Sequence, residues 1–185
     1  MNVIFFATGN RGKVEHAANI LGDEFKVRQV DVETVEPSIG SIEEIAEAKV
    51  EQAREKADIP DEGLLIADDS GLFVDSLNGF PGPQTSFFDE KVGKNNLLKL
   101  IEGDNSASFR AAVALDLGND TKVFTGEASG EVVEPRGEEG FGYDPLFLPD
   151  GNDRTWGEDS EFKDEHSHRK EALEKLRDYI STGVE

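Results

Sequence analysis

The chain has 185 residues, 40 of them acidic and 19 basic, for a formal net charge of −21. Charge of that sign repels nucleic-acid phosphates and acidic lipid surfaces, so neither is an expected partner. The absence of cysteine excludes disulfides, thiolate metal sites and a cysteine nucleophile. The length suits a single domain over residues 1–185, or one domain with two lobes, and the 12 Phe among 36% hydrophobic residues suffice for a core. The acidity has two readings: a halophilic composition, in which salt screens self-repulsion, or an acidic interaction surface. Its spread along the whole chain favours the first. Met1 to Ala7 lacks a basic leader and no apolar run is long enough for a bilayer, so a cytoplasmic protein is expected.

In chain order, Val3–Ala7 is a continuous apolar run that predicts a buried strand. Thr8 to Gly12 reads as a loop, and Val14, Ala17, Ala18 and Leu21 then recur at helical spacing until Gly22. Phe25–Val30 predicts a second strand, and Thr34 to Gly40 is irregular. Ser41 with Glu44 three residues on is a capping box opening a helix to about Ala57. Its apolar face is Ile42, Ile45, Ala46, Val50, Ala53 and Ala57. Leu64–Ala67 and Leu72–Val74 read as two strands joined by a turn at Ser70-Gly71. Asn78 to Pro83 is turn-rich, and Asn95–Ile101 predicts a short helix. Phe109–Leu117 and Lys122–Val133 alternate like paired strands around a Gly118-Asn119-Asp120 turn. Pro135 to Pro145 is rich in Gly and Pro. A last helix from near Ser167 should bury Leu173, Leu176 and Ile180. Interleaved strands and helices indicate an α/β fold with a mixed sheet.

Five groups of residues carry possible chemistry. Thr8-Gly9-Asn10-Arg11-Gly12-Lys13, where a strand gives way to a helix, offers backbone N–H groups and a lysine to phosphate. It is not a Walker loop, because the spacing is short and Val14 follows the lysine. Lys49 falls between Ile45 and Ala53 at about 100° per residue; it is either a cleft-facing anion ligand or a snorkelling surface lysine. Asp68-Asp69-Ser70-Gly71 ends a buried strand; strand alternation directs one carboxylate into a cleft, where it can hold Mg²⁺ or activate water. Gly140-Phe141-Gly142-Tyr143-Asp144-Pro145 joins an aromatic ring to a carboxylate, suited to stacking on a purine or to anchoring a turn. Lys163 and Ser167-His168-Arg169 place cations at the start of the last helix, against the dipole preference, which points to an anion. A histidine-based hydrolytic triad lacks its G-x-S-x-G elbow.

Together these segments resemble the inosine/xanthosine triphosphate pyrophosphatase family over nearly the whole chain. The matching stretches are Ala7-Thr8-Gly9-Asn10 with Lys13, Ala67 to Leu72, Leu77-Asn78-Gly79-Phe80-Pro81-Gly82, Gly140 to Pro145, and Ser167-His168-Arg169. The resemblance implies hydrolysis of the α–β phosphoanhydride of ITP, dITP or XTP to the monophosphate and pyrophosphate. It also implies Mg²⁺, a homodimer, and an elongated mixed β-sheet flanked by helices, with two lobes and the site in the cleft between them. Position by position, Asp69 resembles the catalytic carboxylate and a metal ligand, with Glu36 as the second ligand. Thr8, Gly9, Asn10, Arg11, Gly12, Lys13, Lys49 and Ser70 resemble triphosphate ligands; Phe141, Gly142, Tyr143, Asp144, Lys163, His168 and Arg169 resemble base and sugar-phosphate contacts. The chain departs from the family pattern at Gln84-Thr85-Ser86, where Tyr and a small residue are usual. It departs again at Gly157, where Ala is usual, at His166, and in a Glu158-to-Lys163 interval one residue short. A purine-nucleotide sensor without catalysis and an acidic interaction protein are the competing readings.

Overall fold

In a computed structural model of the chain, the described residues are 2–35, 37, 40–60 and 63–182. The first strand, β1, is Asn2–Ala7, and helix α1 follows over Arg11–Leu21. The helix opens two residues earlier than the loop expected at Thr8 to Gly12, because the Asn10 side chain caps it by accepting from the Lys13 amide. Arg11 and Gly12 therefore lie in the first helical turn. Strand β2 is Phe25–Val30, and α2 is Ile42–Lys56 with the expected Ser41–Glu44 capping box formed in both directions.

Strand β3 departs from expectation: it runs unbroken over Leu64–Val74, with no turn at Ser70-Gly71. The glycine has a packing reason. A Cβ at Gly71 would lie 2.0 Å from the carbonyl oxygen of Gly82, which belongs to the two-residue strand β4, Pro81–Gly82. β4 pairs antiparallel with β3 at that point. Helix α3, Thr85–Lys91, has no counterpart among the expected elements. It is short, and Phe87 on it is 60% exposed, so its sequence carries no clean apolar stripe. The helix expected at Asn95–Ile101 is a 3-10 helix over Lys94–Leu100. Strands β5, Ser106–Asp116, and β6, Thr121–Val132, are sheet neighbours joined by the expected turn. Strand β7, Phe147–Pro149, and helix α4, Ser160–His166, are too short to announce themselves by periodicity. Helix α5 is His168–Ser181.

The sheet order is β2-β1-β3-β5-β6-β7, with β4 on β3. β1 pairs parallel with β2 and β3, whereas β7 pairs antiparallel with β6, so the sheet is mixed as expected. The chain divides into two compact units, Met1–Asp69 with Ala111–Gly126 and Arg169–Glu185, and Ser70–Arg110 with Glu127–His168. The first unit's core packs Ile4, Phe6 and Ile66 with Ala17 and Leu21 of α1 and Leu173 and Leu176 of α5. The second unit's core gathers Leu72, Leu97, Phe109, Phe147 and Trp156. Each fully buried Leu, Ile or Phe contributes about 1.5–3 kcal/mol of transfer free energy, so each unit has a core of its own. No helix among the described residues is long and apolar enough to cross a membrane.

Candidate active site

In the first unit, the alternation of β3 turns adjacent carboxylates to opposite faces. Asp68 follows Ile66 onto the face covered by α1 and α5. There Lys13 Nζ of α1 donates to its Oδ1 at 2.7 Å, and Arg169 Nε of α5 donates to its Oδ2 at 3.1 Å. Asp68 is 1% exposed. Burial alone would raise its pKa, but the charges of Lys13, Arg169 and Lys49 outweigh burial and hold the carboxyl well below the usual carboxylate range. Lys13 is shifted down, first by burial and then by the neighbouring charges of Arg169 and Lys49, although Asp68 opposes this.

Asp69 points the other way and is also buried. Lys49 of α2 places its ammonium 3.8 Å from Asp69 Oδ1. That is an ion pair outside hydrogen-bond range. The Lys49 side chain is turned inward, not snorkelling to solvent, as its position between Ile45 and Ala53 indicated. The two carboxylates thus differ in kind: both oxygens of Asp68 are engaged by cations at hydrogen-bonding distance, whereas Asp69 sits beside a cation at longer range.

Near them lies the Thr8 to Lys13 segment. Thr8 Oγ1 accepts from the Asn10 amide at 3.1 Å, and the Thr8 carbonyl accepts from Gln29 Nε2 at 2.8 Å. The first turn of α1 holds no acidic side chain, so the positive end of its dipole is not neutralised from within. Glu36, the expected second metal ligand, lies outside the described residues.

In the second unit, Asp144 organises the glycine-flanked aromatic turn. Its Oδ2 accepts from the Phe141 amide at 2.7 Å and from Lys163 Nζ at 2.6 Å. Gly140 is required here: its φ is +72°, and a Cβ would lie 2.0 Å from the same Asp144 oxygen. The Lys163 ammonium also stands 4.1 Å from the centre of the Phe141 ring, which is 36% exposed. Gly142, with φ +60°, gives its carbonyl to Lys94 Nζ. Tyr143 faces inward, donating from its hydroxyl to the Thr85 carbonyl at 3.0 Å; burial, then the charge of Asp89, pushes the phenol up.

The cations expected together at the start of the last helix have separate partners. Lys163 belongs to α4 and pairs with Asp144, Arg169 pairs with Asp68, and His168 stacks on Phe109 and Trp156. The motifs in the sequence do not single out Trp156 as part of this group; its one signal is being the only Trp in the chain. Among the departures, Thr85 ties β3 to β4: its Oγ1 donates to the Gly82 carbonyl at 2.6 Å and accepts from the Leu72 amide at 2.9 Å.

Gly157 also has a reason. A Cβ there would lie 2.7 Å from the Arg136 carbonyl oxygen and 2.7 Å from Pro145 Cα, and one at Gly137 would lie only 1.9 Å from the Gly157 carbonyl oxygen. These contacts accompany backbone bonds from Gly157 to Asp144 and from Glu139 to Gly157, both 2.9 Å. Restoring the residue usual in the family, Gly157→Ala, is therefore expected to destabilise this chain by about 1–3 kcal/mol through overpacking. A chemical denaturation curve with a lower midpoint and unchanged slope checks it.

A family model described as the Ham1 family matches residues 4–179. The chain belongs to the Ham1 family. Among curated relatives of this Ham1-family chain, the dITP/XTP pyrophosphatase of Methanopyrus kandleri is 41% identical over 187 residues, covering 98% of this chain and 97% of the relative. The dITP/XTP pyrophosphatase of Thermococcus kodakarensis is 37% identical over 186 residues, covering 97% of each. Of solved structures, the Staphylococcus aureus Ham1 protein aligns with a TM-score of 0.81 at 30% identity, covering 99% of this chain and 100% of that one. A HAM1 protein from Coxiella burnetii aligns with a TM-score of 0.82 at 30% identity and the same coverage. The family resemblance drawn from five short motifs, and the α/β mixed-sheet class, both hold for this Ham1-family chain.

Proposed function

We propose that this Ham1-family protein hydrolyses non-standard purine nucleoside triphosphates to the monophosphate and pyrophosphate, with ITP, dITP and XTP as substrates. The observation that carries the reading is the unequal pair on β3: Asp68 is locked by Lys13 and Arg169, and Asp69 stands beside Lys49. Phosphoryl transfer needs charge neutralisation and an aimed nucleophile more than covalent work by the protein. Asp69 is the group that orients water toward the α-phosphorus and accepts its proton. Lys49, with the N-terminus of α1 and Lys13, takes up charge developing on the leaving pyrophosphate. Thr8 through Gly12 and Ser70 supply further phosphate contacts. The names of the curated relatives support the same activity.

The donor set is compatible with Mg²⁺. This ion often binds through one or two carboxylates together with substrate phosphates, and the buried Asp69 carboxylate provides one such oxygen ligand. The described residues contain no group of three His, Cys, Asp or Glu ligands, so the substrate would complete the shell, with Glu36 as the second protein ligand. Bound there, Mg²⁺ would neutralise triphosphate charge and polarise the bond to be cleaved.

Selection of the base falls to Phe141, Asp144, Lys163 and His168. A 6-oxo purine presents an acceptor where adenine presents a donor. An ammonium aimed at that position is satisfied by the first and opposed by the second, a difference on the order of 1–3 kcal/mol. The protein acts as a cytoplasmic homodimer in this reading.

A nucleotide panel assayed for pyrophosphate with Mg²⁺, over a range of KCl, tests the proposal. ITP, dITP and XTP are expected to release pyrophosphate well ahead of ATP. The rate should fall as KCl is withdrawn, because self-repulsion of a −21 chain is then unscreened. Binding of ITP without pyrophosphate release would favour the sensor reading instead.

A further inference from the structure

Trp156 is fully buried, and its indole N–H has no hydrogen-bond partner among the described residues. A buried indole commonly finds one, so what this side chain supplies here is its ring. Phe147 lies tilted against that ring at 4.6 Å, and three further neighbours use it. Phe109 stacks on it with centroids 5.3 Å apart and planes at 25°. His168 stacks on it at 5.6 Å and 14°. Lys163 Nζ stands 5.5 Å from its centre, on the cation–π side of the contact. The same ammonium is 4.1 Å from the Phe141 ring and 2.6 Å from Asp144 Oδ2.

Lys163 is thus held by one carboxylate and two aromatic faces. This matters because a lysine stem has several freely rotating bonds and a compact ammonium that Asp144 alone would fix at only one point. His168 packs against both rings, since Phe109 also stacks on it at 5.0 Å and 22°, and the three rings form a mutually contacting cluster. One ring therefore touches both nitrogen-bearing side chains assigned above to the base.

We propose that Trp156 is a positioning residue for purine selection: its ring face sets the Lys163 ammonium and the His168 imidazole against the 6-position of the base. This rests on the pyrophosphatase reading of the same site. Its indole N–H makes no hydrogen bond among the described residues, so a phenyl ring in its place should do the same work, and an aliphatic one should not.

The test measures kcat/KM for ITP and for ATP with wild type, Trp156→Phe and Trp156→Leu. Trp156→Phe is expected to keep the ITP preference within about threefold. Trp156→Leu is expected to lose about tenfold of it, mostly through a raised KM for ITP, as a cation–π contact and a stacking partner vanish. A purely structural role would lower both activities together and leave their ratio alone. An unchanged ratio in a folded Trp156→Leu protein, or equal loss in both variants, would overturn the proposal. Should Trp156→Leu fail to fold, wild type carries its own probe, because Trp156 is the only Trp in the chain. Its fluorescence is expected to change saturably with inosine monophosphate and little with adenosine monophosphate; identical responses to both would overturn the proposal. If wild type releases no pyrophosphate from ITP at all, it is the pyrophosphatase reading that fails.

Discussion

Asp68→Asn is expected to cost about 3–5 kcal/mol of stability, because it leaves two cations facing a buried site without their counter-charge. For a chain of this length that corresponds to a melting temperature lower by roughly 10 °C. The geometry makes Asp68 unusual among the 40 acidic residues: Lys13 and Arg169 approach its two oxygens at 2.7 and 3.1 Å, and both Asp68 and Arg169 are nearly inaccessible to solvent. Solvent screening, which reduces exposed ion pairs to little, is largely missing here. The pH dependence has a defined sign. The folded carboxyl lies below its ordinary value, so its contribution is complete above the unfolded pKa of about 3.9 and is lost as pH falls from there toward the folded value. Wild type and Asp68→Asn should therefore differ most in melting temperature near neutrality and converge below about pH 4. A gap that stays constant into acid would show that the carboxylate charge is not what stabilises this triad.

The sequence carries the elements whose apolar repeats are long enough to read. β1, α2 and α5 each bury a regular face, and the Ser41 capping box marks the start of α2 in the sequence itself. The same logic extends to the site: alternation along β3 says that Asp68 and Asp69 diverge, and the helical angle of Lys49 says that it turns inward. What cannot be read there depends on residues brought together by tertiary structure. Ser70-Gly71 has the composition of a turn, yet the strand continues because the missing Cβ makes room for the Gly82 carbonyl. The cations near the last helix look like one cluster in one dimension. Their partners Asp68 and Asp144 lie far away in the chain, which gives Arg169 and Lys163 different roles. Gly157 stands out in the sequence only as a departure from the family pattern, and its cause is the Arg136 carbonyl and the Pro145 backbone, both some distance off in sequence.

Asp69→Asn should behave in the opposite way to Asp68→Asn: a folded protein with little turnover. Its ion pair with Lys49 spans 3.8 Å, so the interaction lost is longer and weaker, and the melting temperature should fall by less than for Asp68. The amide keeps the size and much of the hydrogen-bonding capacity of the side chain but cannot accept a proton from water. Loss of a general base costs about 10²–10⁴-fold in rate, and that is the expected fall in kcat for pyrophosphate release from ITP. Binding should survive, because the direct contacts assigned to phosphate and base come from other residues and the amide oxygen can still serve as an Mg²⁺ ligand; an ITP-induced rise in melting temperature reads it directly. The pair of variants separates two roles that adjacent aspartates could otherwise share. If Asp69→Asn turned over ITP at the wild-type rate, the proton acceptor would have to be sought elsewhere. Asp68 could not take its place while ionised between Lys13 and Arg169, since a carboxylate held that far below its usual pKa is a poor base near neutral pH.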